Sequence, residues 1–453
     1  MSPLPRSTLV ALALLASCGG GGGDGGNPPP PEPANVLVLV MDDVGVDMLG
    51  AYGVHPSFPP TPNIDALIAD GVLFERCYTP PSCSPTRAAV LTGRLSFRTG
   101  LGQPVNELQP EPALELDERT LPEVLAAGSA RPIASSAIGK WHLGSESAGG
   151  ADHPNLQGFE WFDGPLGNLF NNQTYFNYGK IRNGVRYTST VYATTDQVND
   201  ALGRIAAMPE PWFLWLGFSA AHTPLHAPPA HLHTYTLAGD PSATPYEHYC
   251  AMVQAMDTEL GRLLAGIPPD VRARTTVVLL GDNGSPQQVV VPPSVPSQSK
   301  GSLLEGGVRV PLVISGHQVA ARGQRCASLV QTVDLFPTIV GLFDADLAQG
   351  VGDNRPIDGL DLAPYLADVA APPLRSYVMV DKFEPNGFGP YTDQGAMIRD
   401  PRWKLVRRSG LPDAFFDLEG LDREGVDLNA GPLDGEQQKA LARLQYWLDL
   451  ALP

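Results

Sequence analysis

One cysteine stands where a helix is expected to begin. The segment from Cys83 to Arg87 reads CSPTR, and Arg87 lies one helical turn after the cysteine. A helix N-terminus offers unpaired N–H groups and a partial positive charge, and a guanidinium adds charge and directed donors. The segment therefore predicts a site for an anion, and the same surroundings predict a lowered pKa for the Cys83 thiol.

Two polar pairs follow short apolar runs. Asp42 and Asp43 come directly after the run 35–41, and Asp282 and Asn283 follow a second run of the same kind. Either pair alone is more typical of a solvated turn. Continuous apolar runs rich in β-branched residues, however, indicate strands buried in a parallel sheet, and open α/β sheets bind ligands at the carboxyl ends of their strands. The placement of both pairs therefore favours a ligand site.

A lysine and a histidine form a third candidate pair. Lys140 and His142 are separated by one residue in the segment GKWHLG. Alternate residues at the end of an extended strand point the same way, so both side chains are predicted to face one pocket.

The elements around these residues alternate between buried strands and helices. Strands are predicted at 35–41, 212–218, 276–280 and 310–314, and helices at 62–70, 86–91, 191–208 and 246–265. This alternation indicates an α/β fold with a doubly wound, mostly parallel sheet between helices. After residue 372 the pattern predicts a smaller antiparallel sheet and a packing helix, from segments 376–380, 395–399, 403–407 and 435–450.

The segment from Cys83 to Arg94 contains CxPxR followed by LTGR, which resembles the signature of the formylglycine-dependent sulfatases in the alkaline-phosphatase-like superfamily. The resemblance runs from residue 35 to 428. It implies that a separate formylglycine-generating enzyme oxidises Cys83 to an aldehyde. One hydroxyl of the hydrated aldehyde then attacks sulfur, and the other expels sulfate by re-forming the aldehyde.

The same resemblance implies one Ca²⁺ held by Asp42, Asp43, Asp282 and Asn283, with the group made from Cys83 also in contact. Oxygen ligands carrying three formal negative charges suit a hard divalent cation and argue against zinc or copper. The cation would orient a sulfate oxygen and the nucleophile.

Four further positions match the family. By resemblance, Lys140 contacts the sulfate and the formylglycine, and His142 acts as a base in sulfate expulsion. His222 and Lys300 would contact the ester oxygen and sulfate, and one or both would stabilise or protonate the leaving alkoxide. The expected catalytic set is Cys83, Arg87, Lys140, His142, His222 and Lys300.

Charge and cysteine content limit the partners. The chain has 30 Lys and Arg against 48 Asp and Glu, a net charge of −18, which argues against a nucleic-acid partner. An acidic enzyme acting on anions must concentrate its cations inside the pocket. The five cysteines have no zinc-site spacing, and one disulfide among Cys77, Cys250 and Cys326 is compatible with export.

The N-terminal segment indicates export. An apolar run at 9–16 precedes Leu15-Ala16-Ser17-Cys18, which resembles a bacterial lipobox. Residues 1–18 are interpreted as a lipoprotein signal peptide, with ordinary secretory cleavage as the alternative, and 19–34 as a Gly/Pro-rich linker. The expected location is lipid-anchored through Cys18 in the bacterial periplasm, outer membrane or cell surface. The catalytic domain is expected at 35–372 and the smaller subdomain at 373–453.

The combined patterns predict a sulfatase acting on a sulfated small molecule or carbohydrate. One alternative is a phosphomonoester, phosphodiester or phosphonate hydrolase, because related enzymes with the same nucleophile motif attack phosphorus. A second is a lipid-anchored binding protein without activity. Substrate selectivity is expected in the loops 154–183 and 384–395, where Asn168, Asn171, Asn172, Tyr175 and Tyr178 offer contacts to a sugar or form an ordered polar loop.

Overall fold

A computed structural model of the protein describes residues 34–169 and 172–452. The expected signal peptide, Cys18 and almost all of the linker 19–34 lie outside these residues, as does Asn171. The described strands are β1 Asn35–Met41, β2 Gly71–Tyr78, β3 Ala134–Gly139, β4 Trp161–Gly164, β5 Tyr178–Arg182, β6 Val185–Ser189, β7 Trp212–Gly217, β8 Thr275–Gly281, β9 Arg309–Val310, β10 Leu312–Gly316, β11 Gln324–Gln331, β12 Val378–Glu384, β13 Asp393–Arg399, β14 Trp403–Arg408 and β15 Ala414–Asp417.

Short and long helices connect these strands. The described α-helices are α1 Pro62–Ala69, α2 Cys83–Thr92, α3 Ser96–Thr99, α4 Leu121–Gly128, α5 His153–Leu156, α6 Ala193–Ala207, α7 Pro245–Gly266, α8 Pro269–Ala273, α9 Glu305–Val308, α10 Leu335–Leu342, α11 Leu347–Val351, α12 Ala363–Ala367 and α13 Gly435–Ala451.

The large sheet has the order β11-β2-β10-β8-β1-β7-β3-β4-β5-β6, with β9 paired to β2. Its centre, β8-β1-β7-β3-β4, is parallel, and antiparallel strands flank it. The strand predicted at 35–41 is confirmed as β1. Successive residues of β1 are buried on opposite faces, so that Val38 joins one apolar cluster and Leu39 the other.

Helices cover both faces of this sheet, which confirms the doubly wound α/β prediction. Helix α2 contributes Ala88, Val90 and Leu91 to the cluster on one face. Helices α1, α6 and α7 cover the opposite face, with residues such as Ile64 and Val253. Burying each such aliphatic side chain stabilises the fold by about 1.5–3 kcal/mol, so the two clusters hold the sheet rigidly.

The strand predicted at 310–314 is divided in the structure. Pro311 separates β9 from β10, and both pair antiparallel with β2. Proline has no backbone N–H to donate to a neighbouring strand, which explains the interruption.

The predicted C-terminal sheet and helix are also confirmed. Strands β12 to β15 form a four-stranded antiparallel sheet in chain order. Ala440, Leu444 and Leu448 of α13 are buried against this sheet, beside Ile398 and Leu405. The domain boundary expected at residue 372 stays a prediction.

The described part of the chain contains no helix of the length and apolarity needed to span a bilayer. The cysteines in it, Cys77, Cys83, Cys250 and Cys326, are all buried and free, so the disulfide considered among three of them is not formed.

A buried ionic cluster joins α9 to the C-terminal sheet. Glu305 accepts from Lys404 at 2.9 Å and from Tyr78 at 2.8 Å, and Arg399 lies 3.3 Å away. Burial raises the pKa of Glu305, but Lys404 and Arg399 lower it by a larger amount, so the net shift of this pKa is downward. A carboxyl whose pKa is depressed by folding stabilises the protein above its ordinary pKa.

We expect Glu305→Gln to lower the free energy of unfolding by about 3 kcal/mol at neutral pH, because it removes the carboxylate that pairs with buried Arg399 and one of the two that pair with buried Lys404. The difference from the wild type should shrink as the pH falls through about 4, where the carboxylate of the unfolded chain becomes protonated. Urea denaturation followed by fluorescence measures both. Glu436→Gln, which removes an exposed ion pair with Arg402, is the matched control and should cost less than about 1 kcal/mol. Equal effects of the two substitutions would contradict the prediction.

Candidate active site

The two polar pairs meet at one edge of the parallel sheet. Strands β1 and β8 are adjacent and parallel, with Met41 opposite Gly281, so the residues that follow them lie side by side. The backbone N–H of Asp43 donates to Asp282 Oδ1 at 3.0 Å. Asp43 has a φ of 62°, an uncommon conformation for a non-glycine residue that directs its side chain into the cluster.

Cys83 lies at the first turn of α2, as predicted, and is buried in the same cluster. Its Sγ is 3.6 Å from Asp42 Oδ1 and 3.7 Å from Lys300 Nζ. Side-chain ligand atoms of Asp42, Asp43, Cys83 and Asp282 all lie within 4.8 Å of one another. The fold therefore gathers one thiol and three carboxylates from three separate parts of the chain.

Arg87 is fully buried and links three elements. It donates to Asp282 Oδ2 from Nη2 at 2.8 Å and from Nε at 3.2 Å, and Nη1 donates to the carbonyl of Lys140 at 2.7 Å. This ties α2 to the end of β8 and to the residue after β3. The guanidinium also balances charge in the acidic cluster. Burial opposes its positive charge, but Asp282 raises the pKa of Arg87 above the ordinary value.

Two lysines form ion pairs with the carboxylates of the cluster. Lys140 Nζ lies 2.5 Å from Asp42 Oδ2, and Lys300 donates to Asp43 Oδ1. His222 follows β7 and places its Nε2 3.8 Å from Asp43 Oδ2, while its Nδ1 lies 2.9 Å from the carbonyl of Thr223. The structure therefore concentrates cations at this point, as an anion site in an acidic protein requires.

His142 also reaches the site, but not by the predicted geometry. Its φ is 64°, so the residues after β3 do not continue as an extended strand, and the alternation argument for Lys140 and His142 was wrong. Its Nε2 lies 3.0 Å from the carbonyl of Val105 and must carry the proton of that hydrogen bond. Nδ1 is buried and, among the described residues, has no partner. Burial and the neighbouring cations lower the pKa of His142, which leaves Nδ1 as a free acceptor.

The predicted low pKa of the Cys83 thiol is wrong. Burial raises this pKa to about 12, and the favourable charges of Lys140 and Lys300 do not offset burial together with the nearby carboxylates. Burial likewise raises the pKa of Asp42 despite Lys140, whereas Lys300 and His222 keep the pKa of Asp43 low although burial opposes them. The helix N-terminus was identified correctly from the sequence, but its degree of burial was not.

The donor set fits a hard cation. Asp42, Asp43 and Asp282 contribute carboxylate oxygens, and Asn283 Oδ1 is buried without a hydrogen-bond partner in the described structure. The amide of Asn283 is held by Asp43 Oδ1 at 2.8 Å and by the carbonyl of Gly284 at 3.0 Å. An unpaired buried oxygen is costly unless a ligand satisfies it, and oxygen-only sites favour Ca²⁺ or Mg²⁺.

Tyr175 supports the segment that carries His222. It is buried, and its hydroxyl donates to the carbonyl of His222 at 2.7 Å and lies close to the carbonyl of Ser219. Tyr178, the first residue of β5, is also buried and donates to Asp196 at 2.7 Å, so both tyrosines bond within the protein and do not form a sugar-contacting surface. Sequence reasoning missed the positioning role because no local pattern connects residue 175 with residue 222.

We expect Tyr175→Phe to lower kcat/KM for a sulfate ester about tenfold, mainly through kcat, because the carbonyls around His222 lose a buried donor. Steady-state kinetics measures this, with thermal melting to separate misplacement from unfolding. Tyr377→Phe, which keeps its stacking on Trp447 away from the site, is the control. A Tyr175→Phe enzyme with unchanged kcat would refute the positioning role.

Comparison with known proteins agrees with this geometry. The family model described as Sulfatase matches residues 34–345. N-acetylgalactosamine-6-sulfatase of Sus scrofa is 32% identical over 379 residues, covering 74% of this chain and 66% of that protein. Arylsulfatase A of Homo sapiens is 31% identical, covering 82% of this chain and 73% of that protein. The chain thus spans about two thirds of the length of the first of these relatives.

Solved structures share the fold. Ps i-CgsB, in complex with k-i-k-neocarrahexaose, has a TM-score of 0.75 at 24% identity, covering 92% of this chain and 93% of that chain. BT4656, in complex with its substrate D-glucosamine-2-N,6-O-disulfate, has a TM-score of 0.70 at 18% identity, covering 92% and 98%. The family model matches well over half of the chain, and it leads to one conclusion: the chain belongs to the sulfatase family.

Proposed function

We propose that this protein hydrolyses sulfate esters with a formylglycine made from Cys83 and with one Ca²⁺. The observation that carries the proposal is the convergence of Cys83, three carboxylates and two lysines at the carboxyl edge of the sheet. Asp42, Asp43, Asp282 and Asn283 would hold the cation. When bound, the cation supplies charge neutralisation for a sulfate oxygen.

The nucleophile would come from the hydrated aldehyde at position 83. Conversion requires a separate formylglycine-generating enzyme, which we propose as a maturation partner. Lys140 Nζ and Lys300 Nζ border position 83 and would hold the sulfate through charge-assisted hydrogen bonds. Arg87 acts mainly by orienting Asp282 and the Lys140 backbone, since its donors are engaged there.

The two histidines divide the proton transfers. His142 Nδ1 is a buried acceptor with a fixed tautomer, so it would remove a proton from the nucleophilic group as sulfate leaves. His222 Nε2 and Lys300 Nζ both face Asp43 and would stabilise or protonate the departing alkoxide.

We propose a carbohydrate sulfate as the substrate. Support comes from the relative that is an N-acetylgalactosamine-6-sulfatase and from the loops that border the site.

Export and attachment to a membrane through lipidated Cys18 are part of the same proposal, since an anchored enzyme would act on extracellular or periplasmic material. A phosphoester substrate and a non-catalytic role are less favoured by the family match.

The proposal is tested with enzyme that is co-expressed with a formylglycine-generating enzyme. Its rates of hydrolysis of 4-nitrophenyl sulfate and 4-nitrophenyl phosphate are compared. Mass spectrometry of the peptide around Cys83 verifies conversion. We expect sulfate release to exceed phosphate release by at least about 100-fold, an energy difference of about 2.7 kcal/mol. Faster phosphate release would overturn the assignment to sulfate esters. Absence of both activities in converted enzyme would count against catalysis on simple esters.

A further inference from the structure

A cavity of about 360 Å³ lies beside the proposed active site and has no role in the chemistry described above. Two loops that line it also contact His142. The carbonyl of Val105, two residues before Glu107, contacts His142 Nε2, and the carbonyl of Leu166 accepts from the His142 backbone N–H at 2.6 Å. These shared loops, together with the electrostatic effect of Lys140 on Glu107, place the cavity near the base, although none of the catalytic residues is among the residues that line it.

Glu107 is the unusual group in this cavity. It is 7% exposed, and its Oε2 is buried with no hydrogen-bond partner among the residues that the structure describes. The buried lysine of the cavity, Lys180, cannot neutralise it, because that ammonium is held by Asp163, Asp196 and Asp200. A buried carboxylate oxygen without a donor costs free energy that a ligand donor would recover.

A second unpartnered acceptor lies close by. Asn168 Oδ1 is buried and, within the described ranges, likewise lacks a donor. Gly167 joins the two groups, since a Cβ at Gly167 would come within 2.3 Å of the Glu107 carboxylate. Because residue 167 has no side chain, the Glu107 carboxylate can pack against the backbone next to Asn168. Two adjacent acceptors without donors call for a ligand that carries neighbouring hydrogen-bond donors.

The rim of the cavity carries a positive charge, in contrast to the acceptors inside it. The side chain of Arg186, on β6, lines it, is exposed, and forms no ion pair or hydrogen bond with another described residue. An exposed guanidinium suits a sulfate or carboxylate group and gives up little hydration on binding it. The cavity thus offers acceptors inside and a cation at its mouth.

We propose that this cavity binds a sugar ring of the sulfated substrate. Glu107 and Asn168 accept hydrogen bonds from two ring hydroxyls, and Arg186 contacts a negatively charged substituent of the same chain. A volume of about 360 Å³ is within the usual range for ligand pockets and accommodates one ring. The inference rests on the proposed sulfatase activity and deepens it, because it makes Glu107 and Asn168 residues that determine substrate specificity.

Kinetics on small and sugar substrates test the proposal. The comparison uses formylglycine-converted wild type and four variants, namely Glu107→Ala, Glu107→Gln, Asn168→Ala and Arg186→Ala. Each is assayed on 4-nitrophenyl sulfate and on three sugars, namely N-acetylgalactosamine 6-sulfate, D-glucosamine-2-N,6-O-disulfate and k-i-k-neocarrahexaose. For a sugar that the wild type hydrolyses, we expect each alanine variant at 107 and 168 to lose at least about tenfold more kcat/KM than it loses on 4-nitrophenyl sulfate. The loss should appear chiefly as a raised KM. Arg186→Ala should affect the charged oligosaccharide most.

Glu115→Gln, an exposed carboxylate in the same part of the chain that does not line the cavity, is the matched control and should show no such selectivity. Glu107→Gln preserves the shape of the side chain if Glu107→Ala unfolds the protein, and thermal melting identifies that case. Equal losses on sugars and on 4-nitrophenyl sulfate would overturn the inference.

Hydrolysis of 4-nitrophenyl sulfate with no sugar turned over would also overturn the inference, while leaving the sulfatase activity in place. Failure of converted enzyme on every substrate would instead reject the proposed function, and the sugar-binding role with it.

Discussion

Cys83→Ala is expected to abolish sulfate-ester hydrolysis, with a loss of about 10⁴-fold or more in kcat. Position 83 stands between the carboxylate of Asp42 and the ammonium of Lys300, at 3.6 and 3.7 Å, and its thiol is the group that the proposed maturation converts to the nucleophile. The remaining charges would still bind sulfate, so the variant should retain affinity for a sulfated ligand while losing turnover.

Cys83→Ser provides a closer variant, because the hydroxyl keeps the size and the hydrogen bonds of the thiol. It should be inactive wherever the maturation enzyme acts only on cysteine, and thermal melting should show a fold close to that of the wild type. Cys326→Ala removes another buried free cysteine, on β11, and is the matched control for loss of a buried sulfur. Substantial activity in Cys83→Ala would contradict the proposed mechanism outright.

Removal of divalent cations is expected to have the second largest effect. Asp42, Asp43 and Asp282 bring three carboxylates together, each paired with one cation of Lys140, Lys300 and Arg87, and the nearby Asn283 Oδ1 has no partner among the described residues. Treatment with a chelator should reduce hydrolysis of 4-nitrophenyl sulfate to background, and Ca²⁺ should restore it. The bound cation would supply charge neutralisation for the sulfate, which the lysines, already paired with Asp42 and Asp43, would not supply alone.

Thermal melting gives a readout that does not depend on turnover. Ca²⁺ at 100 times its dissociation constant stabilises the folded state by about 2.7 kcal/mol, which corresponds to a rise of about 3 °C in Tm for a chain of this size. Asp43→Ala should lose this Ca²⁺-dependent rise, whereas Asp270→Ala should keep it, because Asp270 is exposed on α8, which precedes β8, at the opposite end of that strand from Asp282. Full activity in chelator together with a Tm indifferent to Ca²⁺ would rule out the cation site.

Much of this fold could be predicted because its signals are local. The apolar run 35–41 is buried on both faces, so its composition alone indicates a central strand, and the structure confirms it as β1. The helices at 62–69 and 245–266 were similarly recognisable from periodicity. The edge strand β6 and its neighbour β5 were missed, since their mixed exposure leaves no clear alternation.

The site residues likewise divide into those with a local sequence signal and those without one. The types and order of Cys83, Asp42 and Asp282 indicated their chemistry, and the fold brings them within 4.8 Å of one another. The geometry of His142 was not predictable, because its left-handed backbone is imposed by hydrogen bonds to Val105 and Leu166 and not by neighbouring residues. The role of Tyr175 was hidden for the same reason.

By itself, the sequence determined which atoms are available: a cysteine at a helix start, oxygen donors after two strands, and cations in an acidic chain. Only the tertiary structure decided how buried those atoms are. Burial reverses the expected pKa shift of Cys83, leaves Asn283 Oδ1 unpaired, and encloses Glu107 beside Gly167. The physical reason is that desolvation and hydrogen-bond satisfaction depend on segments distant in sequence, whereas side-chain chemistry and helix or strand periodicity are properties of each segment alone.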